Sequence, residues 1–261
     1  MKTIILAGGY GTRLSEKTDA IPKPMVEIGE YPMLYHIMQI YSAFHYHEFV
    51  VALGYKSQLV KEYFYHFYSF NNDLSIDLRT GETTILQKTP LPWKVHLVDT
   101  GLNTMTGGRI KRLKQWIGHE RFMLTYGDGL SDVNINELVA FHESHGKLVT
   151  VLSVRPPARF GELDMEGTRI KAFKEKPQVE MGWINGGFFV LEPEIFDYLE
   201  DDTTVWEQVP LQRLAAEGEL MGFQHTGFWQ PMDTLREWRH LQSLWNSGNA
   251  PWVREHEFLA K

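Results

Sequence analysis

The chain of 261 residues contains no cysteine. That removes disulfide frameworks, zinc–thiolate centres and thiol nucleophiles together. Positive charge is in deficit, with 26 Lys and Arg against 33 Asp and Glu and a net charge of −7. A nucleic-acid-binding domain usually carries a basic face, so no nucleic-acid partner is expected. Cationic side chains should instead act singly, placed against a small anionic substrate. Long apolar runs are also missing. No stretch approaches the roughly 20 residues that a bilayer-spanning helix requires. The run 4–7 is too short for the apolar part of a secretory signal, and Gly and Arg follow it. A cytoplasmic protein with no membrane partner is expected. Internal repeats and low-complexity tracts are absent as well. The length and a hydrophobic fraction of 43% suit one sizeable core, read as a single domain over 1–261.

What is present is concentrated at the start. Ile4 to Ala7 reads as a buried strand, and it runs directly into Gly8-Gly9-Tyr10-Gly11-Thr12-Arg13-Leu14. Three glycines in four positions allow a tight turn and a close approach of backbone N–H groups to another group. Successive N–H groups in such a loop make a concave anion site. Arg13 and Lys23, the latter in Pro22-Lys23-Pro24, supply permanent charge beside it. The loop lacks the third glycine of the dinucleotide fingerprint, and no Gly-Lys-Ser/Thr follows to make a Walker A loop.

Further along, strands expected at 49–53, 93–98, 122–126, 149–154, 188–191 and 220–225 alternate with helical patterns. These helices are expected from Pro32 onward, at 58–68 with Ser57 as N-cap, from 110, at 134–145, 193–199, 207–217 and 235–246. This rhythm predicts an α/β fold: a Rossmann-like, mixed but mostly parallel sheet with helices on both faces. Residues 71–92 are polar and rich in turn signals, and read as a small excursion from that sheet. The aromatic run 63–70 reads either as local core packing or as a subunit interface. His45 and His47 lie in a connection without accompanying carboxylates and read as a solvated loop.

Thr104 and Arg109 flank Gly107-Gly108 at the opening of a helix, where free N–H groups can face an anion or base. Both are read as ligand-binding, with Lys111, Arg112 and Lys114 as a solvated face. Asp128 stands between two glycines at the carboxyl end of a strand, the edge at which open α/β sheets bind ligands. Asp132 reads as a helix-entry residue. Asp233 also follows a strand, and two carboxylates from separate strands can meet at one Mg2+.

The string Gly8-Gly-Tyr-Gly-Thr-Arg-Leu14 with Pro22-Lys-Pro24, joined by Glu175-Lys-Pro177 and Asn185-Gly-Gly187, resembles the sugar-phosphate nucleotidylyltransferases. The likeness spans essentially the whole chain. Ile21-Pro22 stands where a Lys-Pro is often found in that family, and Lys23 is intact. The strings Met105–Arg109, Thr125–Gly129, Ile184–Phe189 and Gly227–Thr234 narrow it to members that join CTP to glucose 1-phosphate, giving CDP-glucose. The resemblance implies a bacterial, Mg2+-dependent homo-oligomer, a hexamer, supplying precursors of 3,6-dideoxysugars for O-antigen and related lipopolysaccharide glycans. It further implies that the backbone of Leu6, Ala7, Gly8, Gly9, Tyr10, Gly11 and Thr12 holds the nucleotide, and that Thr104 and Arg109 lie by base and ribose. Arg13, Lys23 and Asp128 would be catalytic, Asp128 and Asp233 would hold the metal, and Glu175, Lys176, Asn185 and Gly187 would bind the sugar phosphate. The same fold with UTP or dTTP, or with another hexose 1-phosphate, is the near alternative. An NAD-dependent sugar oxidoreductase is disfavoured by the missing third glycine. A non-catalytic nucleotide-sugar binding protein is disfavoured by the presence of Arg13, Lys23 and both aspartates.

Overall fold

Ile4, Val50, Leu124 and Phe189 are fully buried, and so are Ile5, Val51, Met123 and Phe188 beside them. Successive side chains of a strand point to opposite faces, so strands buried at every position need cover on both sides. The computed structural model supplies that cover. It describes residues 1–11, 14, 18, 20–86, 90–156, 162–166, 168–174 and 182–254.

In chain order come β1 (Thr3–Ala7), the short pair β2 (Glu27–Ile28) and β3 (Tyr31–Pro32), helix α1 (Met33–Ser42) and β4 (Glu48–Leu53). Helices α2 (Ser57–Tyr65) and α3 (Phe67–Phe70) precede a hairpin of β5 (Leu74–Asp77) and β6 (Glu82–Ile85). Next are β7 (Lys94–Asp99), α4 (Thr106–Arg112) and α5 (Lys114–Ile117). The second half holds β8 (Phe122–Tyr126), β9 (Gly129–Ser131), α6 (Ile135–His145), β10 (Val149–Val154), β11 (Glu162–Glu166), β12 (Arg169–Lys174) and β13 (Ile184–Leu191). A 3-10 turn (Pro193–Tyr198), α7 (Val209–Ala216), β14 (Leu220–His225), β15 (Trp229–Pro231) and α8 (Leu235–Asn246) complete it.

Seven strands form one sheet in the order β14-β10-β13-β8-β1-β4-β7. All neighbours are parallel except β13, which runs antiparallel to both β10 and β8. The expected mixed, mostly parallel sheet is therefore observed. One core packs Ile5, Val51, Met123 and Phe188 against α1, α6 and α8. The other packs Ile4, Val50, Leu124 and Phe189 against α4, α5, Trp206 and Leu214. Residues 71–92 contain the β5–β6 hairpin outside the main sheet, with Ile76 54% and Leu78 91% exposed. No helix among the described residues is long and apolar enough to cross a membrane.

Several local expectations need correction. Ser57 is the first residue of α2, and its N-cap is Lys56 in a left-handed conformation at φ 51°. The helix ends at Tyr65; beyond His66, Phe67 is buried and its ring packs against Tyr35 and Tyr63. Tyr65 and Phe70 point outward, so the aromatic run divides between the two readings given to it. Asn134, not Asp132, opens α6 by accepting from the Asn136 and Glu137 N–H groups, whereas Asp132 accepts from His225 Nε2 at 2.8 Å. The final helices also shift: α7 begins at Val209, and 193–198 is a 3-10 turn. Strand β13 starts at Ile184, not 188, because a register irregularity opposite Val151 and Ser153 lets Gly187 (φ 82°) stay within it. The chain turns back after Glu166 as a hairpin, with β11 antiparallel to β12 and Glu166 opposite Arg169, whereas Phe160, Gly161 and Gly167 lie outside the described residues.

His36 on α1 ties this frame to the chain end. It is 2% exposed, its Nε2 donates to the Ile28 carbonyl at 2.9 Å, and its Nδ1 accepts from Trp252 Nε1 at 3.2 Å. A carbonyl can only accept and an indole N–H can only donate, so the neutral Nε2–H tautomer is required. Burial lowers its pKa to about 4. A depressed folded-state value means that the unfolded chain binds the proton more readily. His36 should therefore stabilise the fold fully above about pH 6.5 and lose that contribution as pH falls toward 4, at up to about 1.4 kcal/mol per unit. Urea denaturation from pH 7 to 4 checks this: the difference in slope between wild type and His36→Gln should appear in that window, and parallel profiles would refute it.

Candidate active site

Strand β1 ends at the centre of the sheet, and Gly8 to Gly11 emerge from its carboxyl end. There they line a cavity of about 630 Å3 together with Leu6 and Ala7. Lys23, Thr104, Arg109, Asp128 and Asp233 line the same cavity. The structure thus gathers most of the residues singled out in the sequence. Thr12, Arg13, Glu175 and Lys176 lie outside the described residues. Asn185 and Gly187 stand at the start of β13, beside the cavity, joined to it through Tyr126.

The charged centre of the site is Lys23. Pro22 precedes a 3-10 turn, Lys23–Met25, that carries Lys23 to the cavity floor. Its ammonium donates to Asp128 Oδ2 at 2.6 Å and to Asp233 Oδ1 at 2.5 Å. The lysine side chain is only 12% exposed, and the two carboxylates hold its pKa above the ordinary range against the opposing effect of burial. The aspartates are neighbours because β9 pairs with β15 and the Met232 N–H donates to the Asp128 carbonyl at 2.8 Å. Asp233 is fixed in turn at the entry of α8, where its N–H donates to Glu237 Oε2 at 2.8 Å beside the Thr234–Glu237 capping box. One small cation already bridges both carboxylates here. The donor set, two carboxylates open to a cavity, therefore suits Mg2+, which binds one or two protein carboxylates along with phosphate oxygens and water.

Arg109 has a different place from Lys23. It is 5% exposed, and burial lowers its pKa. Nη1 donates to the Leu53 and Gly101 carbonyls and to Thr100 Oγ1, at 3.0, 2.7 and 2.8 Å. Nη2 donates to the Gly8 and Leu102 carbonyls at 3.1 and 3.3 Å. One guanidinium therefore joins the loops that follow β1, β4 and β7. Glycine is needed where it lies: a Cβ on Gly8 would sit 2.3 Å from the guanidinium carbon, and one on Gly54 2.6 Å from Nη1. Tyr10 reaches across the opening, its hydroxyl donating to Asn103 Oδ1 at 3.1 Å.

Tyr126 and Glu207 also line the cavity, and reading the sequence had missed both. Tyr126 adjoins the Asp128 turn and could have been noticed by position. Glu207 lies just ahead of an ordinary helix, and no local pattern marks it. His45 and His47 sit in a connection as expected, with rings 6.1 Å apart. Among the described residues no three His, Asp, Glu or Cys side chains form a metal-binding group.

This combination, a glycine-rich loop at the end of parallel strand β1 with a lysine and two carboxylates beside it, is chemically suited to the phosphates of a nucleotide. The family model for nucleotidyl transferases matches residues 2–230, and the chain belongs to that family. It is 48% identical over 253 residues to the glucose-1-phosphate cytidylyltransferase of Salmonella typhi, covering 97% of this chain and 98% of that protein. It is 44% identical over 253 residues to the probable glucose-1-phosphate cytidylyltransferase of Bacillus subtilis, covering 97% and 99%. HddC from Yersinia pseudotuberculosis complexed with GMP-PN shares the fold, with a TM-score of 0.69 at 22% identity and coverage of 94% and 99%.

Removing the lysine ammonium should leave two carboxylates facing each other. Lys23→Met is expected to lose about 1–3 kcal/mol, a partly exposed site lying between the surface and buried limits. Millimolar Mg2+ should restore more of the melting temperature in the variant than it adds to wild type. Equal Mg2+ responses in calorimetric melting would refute the shared cation position. Gly8→Ala should weaken nucleotide binding at least tenfold by pushing Arg109 away, measured by titration calorimetry.

Proposed function

We propose that the protein joins CTP and α-D-glucose 1-phosphate to give CDP-glucose and pyrophosphate. The observation that carries the reaction type is the Lys23 ammonium held between Asp128 and Asp233 in the cavity of the glycine loop. The choice of cytosine and glucose follows the relatives that match over nearly the whole chain.

In this reading an oxygen of the sugar phosphate attacks the α-phosphorus of CTP in line. The new P–O bond forms as the bond to the β-phosphate oxygen breaks, and pyrophosphate carries away the electron pair. No covalent enzyme intermediate is required, so catalysis is positioning plus charge stabilisation. Backbone N–H groups from Leu6 to Thr12 hold the nucleotide, and Thr104 and Arg109 lie by the base and ribose. Arg13 stabilises the β- and γ-phosphates. Lys23, freed from its carboxylates, meets the α-phosphate and the leaving charge. Asp128 and Asp233 would hold Mg2+, which supplies neutralisation of phosphate oxygens. Lys176 orients the sugar phosphate, with Glu175, Asn185 and Gly187 about the sugar.

The same reading makes the protein a cytoplasmic homo-oligomer supplying CDP-glucose for O-antigen-type glycans. The outward-facing Tyr65 and Phe70 and the neighbouring hairpin with Ile76 and Leu78 support self-association, since aromatic residues are enriched in interfaces. Light scattering should give a mass of several subunits, six by the resemblance, and a monomer mass would refute this part.

Pyrophosphate release with Mg2+ and glucose 1-phosphate, offering CTP, UTP, dTTP, ATP and GTP separately, tests the reaction. Strong preference for CTP is expected. Preference for another nucleotide would overturn the base assignment alone, and silence from folded protein with all five would overturn the reaction. Lys23→Ala should lower kcat by about 100-fold or more in the same assay.

A further inference from the structure

Glu207 is a carboxylate in a cavity otherwise suited to anions. Its Oε2 accepts from Thr106 Oγ1 at 2.7 Å, and its charge lies close to the Tyr126 phenol. Thr106 Oγ1 in turn accepts from the Trp206 N–H at 2.9 Å, which fixes both partners. Among the described residues Glu207 makes no ion pair, in contrast to Asp128 and Asp233. A carboxylate offers about four acceptor sites, so one neutral donor leaves it capacity for more. Phosphate has only negative charge and acceptors to bring to it. The natural complement is an uncharged group rich in O–H donors.

The sheet order says which part of the substrates this is. The loops after β1 and β7, which Arg109 ties to the end of β4, occupy one side of the cavity. Tyr126 ends β8 on the other side, next to β13, and its hydroxyl accepts from Asn185 Nδ2 at 3.0 Å. The Tyr126 ring lies over Gly187, whose added Cβ would come within 2.7 Å of it. Asn185 Oδ1 accepts from the Gly187 N–H at 2.8 Å. Burial and the neighbouring Glu207 carboxylate push the Tyr126 phenol far above its ordinary range, so it remains a donor. Asn185 is thus bonded to Tyr126, Glu207 is bonded to Thr106 at the opening of α4, and Tyr126 and Glu207 face the same cavity.

We propose that Glu207, held by Thr106 and lining the cavity with Tyr126, accepts a hydrogen bond from a hydroxyl of the hexose and so helps to select the sugar phosphate. This rests on the reaction proposed above. It adds a specificity-determining carboxylate from the segment before α7, a part of the chain to which no sugar role had been given. Because Thr106 opens α4 on the nucleotide side, the same carboxylate also joins the two halves of the cavity.

The test compares glucose 1-phosphate with its 2-, 3-, 4- and 6-deoxy analogues in the pyrophosphate assay, for wild type, Glu207→Ala and Glu207→Gln. In wild type, one deoxy analogue should lose about tenfold or more in kcat/KM, because the carboxylate, covered by the bound sugar, is left with an unpaired acceptor. In Glu207→Ala that analogue and glucose 1-phosphate should be used within about twofold of each other. The KM for glucose 1-phosphate should rise about tenfold, while the CTP dissociation constant measured without sugar stays within about threefold. Glu207→Gln keeps the shape and the Thr106 contact and should fall between. Unaltered discrimination in both variants, or a matching loss of CTP affinity, would overturn the role of Glu207 while leaving the reaction standing. No pyrophosphate release from the folded wild type with any nucleotide would overturn the reaction and this role together.

Discussion

The site depends on one charge arrangement, the Lys23 ammonium between the Asp128 and Asp233 carboxylates. Two carboxylates converging on one point repel unless a cation separates them. The protein meets that requirement with a lysine on a proline-flanked turn, so the acidic pair can be assembled before any substrate arrives. The surrounding structure holds the acids rather than the base. The β9–β15 ribbon, the Met232–Asp128 backbone bond and the cap of α8 all restrict the aspartates. Lys23 is tethered through a flexible four-carbon stem, so its ammonium is the movable member of the trio.

Arg109 solves a separate problem. Loops leaving the ends of β1, β4 and β7 have carbonyl groups turned toward one another, and buried carbonyls need donors. One guanidinium supplies them to all three loops without a carboxylate partner. The result is a rigid wall behind the glycine loop, at the cost of forbidding side chains on Gly8 and Gly54. In a chain of net charge −7, a buried guanidinium beside the glycine loop also makes the local potential more favourable to an anion.

The antiparallel strand β13 gives the cavity its second half. Its irregular entry, with Gly187 at positive φ against the Tyr126 ring, places Asn185 beside β8. The loops after β1 and β7 line one side of the cavity, and Tyr126 at the end of β8 stands on the side toward β13. Residues Thr106, Tyr126 and Glu207 lie where the halves meet, which is why a single carboxylate can touch both.

Much of this was legible from local pattern. The strand–glycine-loop at residues 4–11 was readable because tight turns impose glycine at fixed positions, and β10, β14 and α8 match their expected bounds because apolar periodicity is a local property. Asp128 stood out through its glycine neighbours. The helix break at His66 and the early start of β13 were not readable, since packing of Phe67 and pairing with β10 override local preference there. The partners of Lys23 lie 105 and 210 residues away, and only the packed sheet decides that both aspartates reach one ammonium. Glu207 joins Thr106 across 101 residues for the same reason. The sequence by itself determined which residues had the chemistry and which short segments had fixed backbone shapes. Tertiary structure alone decided which of those groups share a charge, because electrostatic and hydrogen-bond partners are set by distance in space and not along the chain.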